Sequence, residues 1–159
     1  MGFTPFSSIP VGVSDTTQIN APIAGLNTLL AGLGQSASAA SSTSLVATTT
    51  DTDVPGCSIT VTVAGANAFA LVTMVFDVQA FVTTTGNVFL GRLKVDGSGG
   101  FPEAHADDRT GRITTSQTMK VPLPAGSHTL KLQAALTPAG GFTVMPSHTN
   151  LTVTLFDIV

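Results

Sequence analysis

The sequence predicts a mainly β chain, an antiparallel β-sandwich or jelly roll preceded by an N-terminal extended arm and one short helix. Three observations carry this. Apolar residues recur with a period of two from Ser44 onward, turn residues punctuate the same region, and only one stretch ahead of it has helical spacing. The clearest alternations are Ser58-Ile59-Thr60-Val61-Thr62-Val63, His128-Thr129-Leu130-Lys131-Leu132-Gln133 and Asn150 to Val159. A period of two puts one face of a strand in a core and the other in water.

Further strands are expected over Ala68 to Val82, Val88 to Val95 and Ile113 to Val121. Turns are marked by Pro55-Gly56, Gly65-Ala66-Asn67, Gly86-Asn87, Asp96-Gly97, Pro124-Ala125-Gly126 and Pro138-Ala139-Gly140-Gly141. Seven or eight strands at such spacing argue for an antiparallel sandwich or jelly roll. Phe69 to Phe81 is apolar on both alternations in places (Leu71, Val72, Met74, Val75, Phe76, Val78). A strand covered on both faces reads this way, so Val72 and Phe76 are expected at a self-association surface.

Residues 1 to about 17 carry Pro5, Pro10 and Gly12 among Phe3, Phe6, Ile9, Val11 and Val13. The prolines block a helix or a central strand, leaving an extended arm whose apolar residues need a partner surface. These five are the expected attachment residues. The helix is expected over residues 18–34, with Asn20 as cap, Pro22 in the first turn and Gly34 as stop. Ile19, Ile23, Leu26, Leu30 and Leu33 follow the spacing of a coiled-coil seam. Gly25 and Gly32 each cost about 1 kcal/mol relative to Ala, so this helix needs packing. Ile23, Leu26, Leu30 and Leu33 therefore meet either their own domain or symmetry mates. Residues 35–43 read as a small-residue linker. The division is thus 1–43 for arm, helix and linker, and 44–159 for the sandwich.

A chain of 159 residues suffices for one domain with a real core. Charged residues make up 9% of it, against about a quarter in an average globular domain, while hydrophobic residues reach 43%. A surface so poor in charge points to contact with other protein. The net charge is −3, with only six Lys and Arg and no basic stripe, which argues against nucleic acid as a partner. No apolar run approaches the about 18 residues of a membrane span, so no membrane partner is expected. Met1 to Phe6 lacks the basic region and apolar core of a secretory signal, so the chain is expected to stay in the cytoplasm until assembly.

Candidate chemistry is sparse. The lone Cys57 excludes an intrachain disulfide and a Cys-rich zinc site, and it reads as a small buried hydrophobe. Residues 101–109 form the densest charge cluster. There His105 and Asp107 have a His-x-Asp spacing, but structural metal sites want three or four ligands. With Asp108 and Arg109 they are expected as an exposed contact loop holding no metal. His128 and His148 have no acid near them in sequence and read as turn-closing or cross-strand residues. No Gly-x-Ser-x-Gly, phosphate-loop or His-Glu-x-x-His pattern occurs, so neither a catalytic residue nor a cofactor is expected. Gly97-Ser98-Gly99-Gly100 lacks the Lys and helix of a phosphate cradle. Asn150-Leu151-Thr152 fits a glycosylation sequon by chance alone, given no secretion signal. Trp and Tyr are both absent, which counts against a sugar site built on ring stacking.

Four stretches of the second half carry a family resemblance. They are Val95-Asp96-Gly97, Arg112 to Thr118, Pro124 to Gln133 and Leu151 to Ile158. Together, over about residues 53–159, they resemble small β-sandwich virion proteins of tailed bacteriophages, similar to the jelly-roll heads of the tumour-necrosis-factor and C1q type. The resemblance implies a homotrimer in the virion. It would be either a capsid decoration protein bound to the major capsid protein on the outer head surface, or a tail or fibre tip binding a host-surface ligand. It supplies no catalytic residue.

Overall fold

The computed structural model describes residues 22–27, 34–81, 86–99, 103–107, 111–137 and 141–157. Residues 22–27 are helical, inside the expected stretch. Nine strands follow: β1 (Gln35–Ala40), β2 (Leu45–Val46), β3 (Thr52–Val63), β4 (Phe69–Ala80), β5 (Val88–Val95), β6 (Ala104–Asp107), β7 (Gly111–Pro122), β8 (Gly126–Thr137) and β9 (Phe142–Phe156). They form two antiparallel sheets. One has the order β1-β9-β4-β7, with β2 also on β9; the other has the order β3-β8-β5-β6. Successive strands repeatedly cross from sheet to sheet, which is a jelly-roll topology.

The core is what the alternation dictates. In β4 the even positions Ala70, Val72, Met74, Phe76, Val78 and Ala80 all point inward. Leu130, Leu132, Ala134 and Leu136 do the same from β8 in the opposing sheet. Phe76 meets Phe89 edge-on at 5.4 Å between ring centroids, and Phe89 lies 6.2 Å from Phe142. Full burial of each such side chain contributes about 1.5–3 kcal/mol.

Asp96-Gly97 makes the turn its sequence suggests. Both residues have positive φ (50° and 84°), and Val95 and Ser98 exchange backbone hydrogen bonds at 2.9 and 2.8 Å. This is the type I′ geometry that Asp-Gly favours. At the same end of the sandwich, where Val63 and Val95 both pair with the start of β8, Asp157 accepts the backbone N–H of Ala64 and of Gly65, each at 2.7 Å, and so ties the end of β9 to the β3–β4 turn.

Four expectations need correction. Residues 35–43 are not simply a linker: β1 pairs with β9 from Gln35↔Leu155 to Ala40↔Asn150, so the sandwich begins before residue 44. Pro55-Gly56 is not a turn between strands but a bulge within β3, where Asp53↔Gln133 is followed by Ser58↔Lys131. Gly56 (φ 85°) is required there, since a β-carbon would come within 2.7 Å of the Ala40 carbonyl oxygen. Residues 101–109 are not all loop, because Ala104–Asp107 pair with β5. Finally, Val72 and Phe76 are both 0% exposed within the domain's own core, so neither can meet a second copy. The two-sided character of β4 belongs instead to the odd positions, which point away from the core.

Candidate functional site

Register places the outward residues of the β1-β9-β4-β7 sheet in rows. Phe156, Phe69 and Pro122 stand side by side, followed by Thr154, Leu71 and Lys120, then Thr152, Thr73 and Thr118, then Asn150, Val75 and Ser116. Beyond a shift in register come Met145, Asp77 and Thr114. Val46 of β2 extends the next row, opposite Thr143 and Gln79. This face is apolar and hydroxylated. Phe69 and Phe156 stack at 4.9 Å, Leu71 is 40% exposed, Val46 is 65% exposed, and Thr73 and Thr118 share a hydrogen bond of 3.0 Å.

Its charges are few and occupied. Lys120 lies 4.2 Å from the Phe69 ring centroid, a cation–π contact. Asp77 is buried beneath its partners. Arg112 grips both carboxylate oxygens, with Nε–H donating to Oδ1 at 2.7 Å and Nη2 to Oδ2, while His148 Nδ1 lies 3.3 Å from Oδ2. The Arg112 guanidinium holds the Asp77 carboxyl below its usual range, against the opposing effect of burial.

The β3-β8-β5-β6 sheet presents an outer face of different character. Arg92 reaches Asp51 at 2.5 Å and also Glu103, whose other oxygen lies 3.0 Å from His105 Nε2. Asp53 takes Lys131 Nζ at 3.1 Å and Gln133 Nε2 at 2.7 Å. Lys94 stands directly opposite Lys131. At the edge of the face, His128 Nδ1 lies 2.6 Å from Asp96 Oδ2. The molecule thus separates a face of hydroxyls and apolar groups from a face of ion pairs.

The expected site residues fall unevenly on this frame. Phe3, Phe6, Ile9, Val11, Val13, Leu30, Leu33, Asp108 and Arg109 lie outside the described residues. Ile23 is half-buried and Leu26 is 43% exposed on the 22–27 helix. His105 and Asp107 are exposed on β6 and face the same side as Arg92. Among the described residues no group of three His, Cys, Asp or Glu could hold a metal ion. Cys57 is buried, and its thiol is pushed up to about 11 by burial, so it is protonated at neutral pH.

Sequence reasoning missed the acid partners of His128 and His148. Asp96 and Asp77 are 32 and 71 residues away, and only strand pairing brings them together. The signal available was weak: Asp96 sits in the Asp-Gly turn that the pairing of β5 with β8 brings up to the start of β8.

No family model matches the sequence, and no curated protein does. Among solved structures, the Eiger TNF of S. frugiperda matches with a TM-score of 0.50 at 10% identity, covering 80% of this chain and 95% of that one. The likeness shows the fold: a jelly-roll sandwich of the tumour-necrosis-factor type. Two weaker matches are a β-glucosidase of Paenibacillus barengoltzii (TM-score 0.42, 14% identity) and latent PorU of Porphyromonas gingivalis (0.46, 12%). These cover 75% and 79% of this chain but only 10% and 13% of those much longer chains.

Proposed function

We propose that the chain is a non-enzymatic structural protein that associates with copies of itself through the outer face of the β1-β9-β4-β7 sheet. In this reading it is a homotrimer that decorates the outer surface of a tailed-phage head, seated on the major capsid protein. The observation supporting self-association is the unequal partition of charge between the two outer faces. Leu71, Val75, Val46, Phe69 and Phe156 lie among Ser and Thr on one side, where burial against a like surface releases water and covers few charges, Lys120 on the Phe69 ring and Arg112 on Asp77 among them. On the other side, ion pairs would have to be stripped of water, a cost that mutual attraction seldom recovers. Closed symmetry suits a surface that must repeat over a shell. The virion setting and the number three rest on the resemblance of residues 53–159 to phage β-sandwich proteins.

Light scattering tests the reading. The purified chain should weigh three times 16.1 kDa. Leu71→Arg should dissociate it, whereas Thr60→Arg, on the ion-paired face, should leave it intact. A wild-type monomer at micromolar concentration overturns the assembly. A trimer that fails to bind decoration-free phage heads overturns the capsid role alone.

A further inference from the structure

Lys94 of β5 and Lys131 of β8 are in register on the same outer face. Like charges directly opposite one another on a sheet are destabilising, so the arrangement needs compensation. Asp53 supplies part of it. Its two oxygens are taken by Lys131 at 3.1 Å and by Gln133 at 2.7 Å. Among the described residues no carboxylate comes within ion-pairing distance of Lys94.

The other nearby acid, Asp96, is also committed. Its Oδ1 accepts the Thr129 N–H at 2.8 Å, and its Oδ2 faces His128 Nδ1 at 2.6 Å. His128 Nε2 in turn lies 2.7 Å from the Pro124 carbonyl oxygen, an acceptor only. Both contacts are satisfied at once when the ring is the imidazolium, which in that form cancels the Asp96 charge. Lys94, Asp96, Gly97, Thr129 and Lys131 line an open recess of about 350 Å³. Two ammonium groups border this recess; Asp53 already pairs with one of them, Lys131, and Asp96 is engaged by His128 and the Thr129 N–H, which leaves Lys94 without a carboxylate at ion-pairing distance among the described residues.

We propose that this recess binds a small oxyanion, the sulfate or phosphate group of an ester, between the ammonium groups of Lys94 and Lys131. An oxyanion there would relieve the Lys–Lys repulsion and give Lys94 a direct ion pair in addition to its longer-range attraction to Asp53, since a compact ammonium commonly binds phosphate. The volume leaves room for part of the group that carries the ester. The site lies on the face opposite the one assigned to self-association, so it stays open in the assembly and does not depend on it.

The test is an amide chemical-shift titration of the full chain with sodium sulfate, sodium phosphate and, at matched ionic strength, sodium chloride. Saturable shifts at Lys94, Gly97, Thr129 and Lys131 are expected with sulfate or phosphate and not with chloride. Lys94→Gln together with Lys131→Gln should abolish them while the rest of the spectrum is unchanged. Lys120→Gln, which removes a cation from the other face, should bind as the wild type does. Galactose 6-sulfate and glucose 6-phosphate then distinguish the two ester sources, and tighter binding of either supports the shared chemistry. Shifts that never saturate, that chloride reproduces, or that persist in the double variant overturn the proposal. Light scattering on the same samples reads the oligomeric state separately.

Discussion

His128 is held between Asp96 and Pro124 with an acceptor at each ring nitrogen, 2.6 Å from the carboxylate and 2.7 Å from the carbonyl. Asp96 also accepts from the Thr129 N–H, and its own N–H donates to the Thr129 carbonyl at 2.9 Å. Three separate pieces of chain are fastened by one ion pair: the β5 turn, the start of β8 and the end of the β7–β8 connection. His128 is buried, at 8% exposed, so water screens the pair little on the histidine side.

This arrangement sets a pH dependence whose sign follows from linkage. The Asp96 hydrogen bond, then the Pro124 carbonyl, raise the His128 pKa above its ordinary 6.5. A raised histidine contributes stability that is fully present below 6.5 and lost as pH rises through the folded value. Asp96 is lowered by His128 and the Thr129 N–H, so its contribution is present above about 3.9 and lost as pH falls through its folded value. The Tm of the wild type should therefore fall on going from about pH 6 to about pH 9. In His128→Gln that slope should flatten. Thermal melts across the range check this, and an equal slope in the variant would remove His128 as its source.

Gly91 faces the buried Phe76 ring so closely that a β-carbon would lie 2.4 Å from ring Cε2 and 2.6 Å from Cδ2. The ring is fully buried, with Phe89 edge-on beside it. Gly91→Ala should therefore destabilise the fold by about 1–3 kcal/mol, as overpacking does. Urea unfolding measures it. A variant as stable as the wild type would mean that the two sheets can separate locally at small cost.

Asp157 receives two backbone N–H groups through separate oxygens and is itself 7% exposed. Asp157→Ala would leave those donors without their acceptor, at about 1.5–3 kcal/mol for a hydrogen bond to a charged group. The same unfolding assay reads the loss. Amide exchange should quicken first at Ala64 and Gly65, where the clamp is released.

How legible these features were in sequence depended on whether their cause is local. Val88 to Val95 coincides with β5 because alternation and the Asp-Gly turn are local signals. β1 looks like linker in sequence because Gln-Ser-Ala-Ser-Ala-Ala carries no apolar period; its strand conformation comes from the edge of β9. β6 was hidden in a charged loop for a related reason, since four residues are too few to show a period. The two outer faces were invisible for a different reason. Alternation separates inside from outside within each strand, but it does not tell which strands share a sheet. Only pairing shows that Arg92, Lys94, Lys131 and Asp53 share one face while Leu71 of β4, Thr118 of β7 and Thr152 of β9 share the other. Val72 and Phe76 are a different case: β4 is apolar on both alternations, so period alone does not say which of its sides faces the core.

The β4–β9 bulge supplies a last test. Val75 pairs with Asn150 and Asp77 with Met145, so two steps along β4 correspond to five along β9. The extra residues of β9 cannot offer the regular ladder carbonyl to the Asp77 N–H. Thr149, 0% exposed, fills the gap: its Oγ1 accepts the Asp77 N–H at 3.0 Å and donates to the Met145 carbonyl at 2.7 Å. Its own carbonyl accepts the Ser41 N–H at 2.9 Å, with Cys57 Sγ 4.0 Å away, which joins this bulge to the one in β3. Thr149→Val keeps the shape and removes the hydroxyl, leaving a buried donor and a buried acceptor unmatched. The expected loss is about 1–3 kcal/mol for each group left without a partner. Thr149→Ser, which keeps the hydroxyl, should cost less than Thr149→Val. If the order is reversed, the methyl group rather than the hydrogen bond holds the bulge.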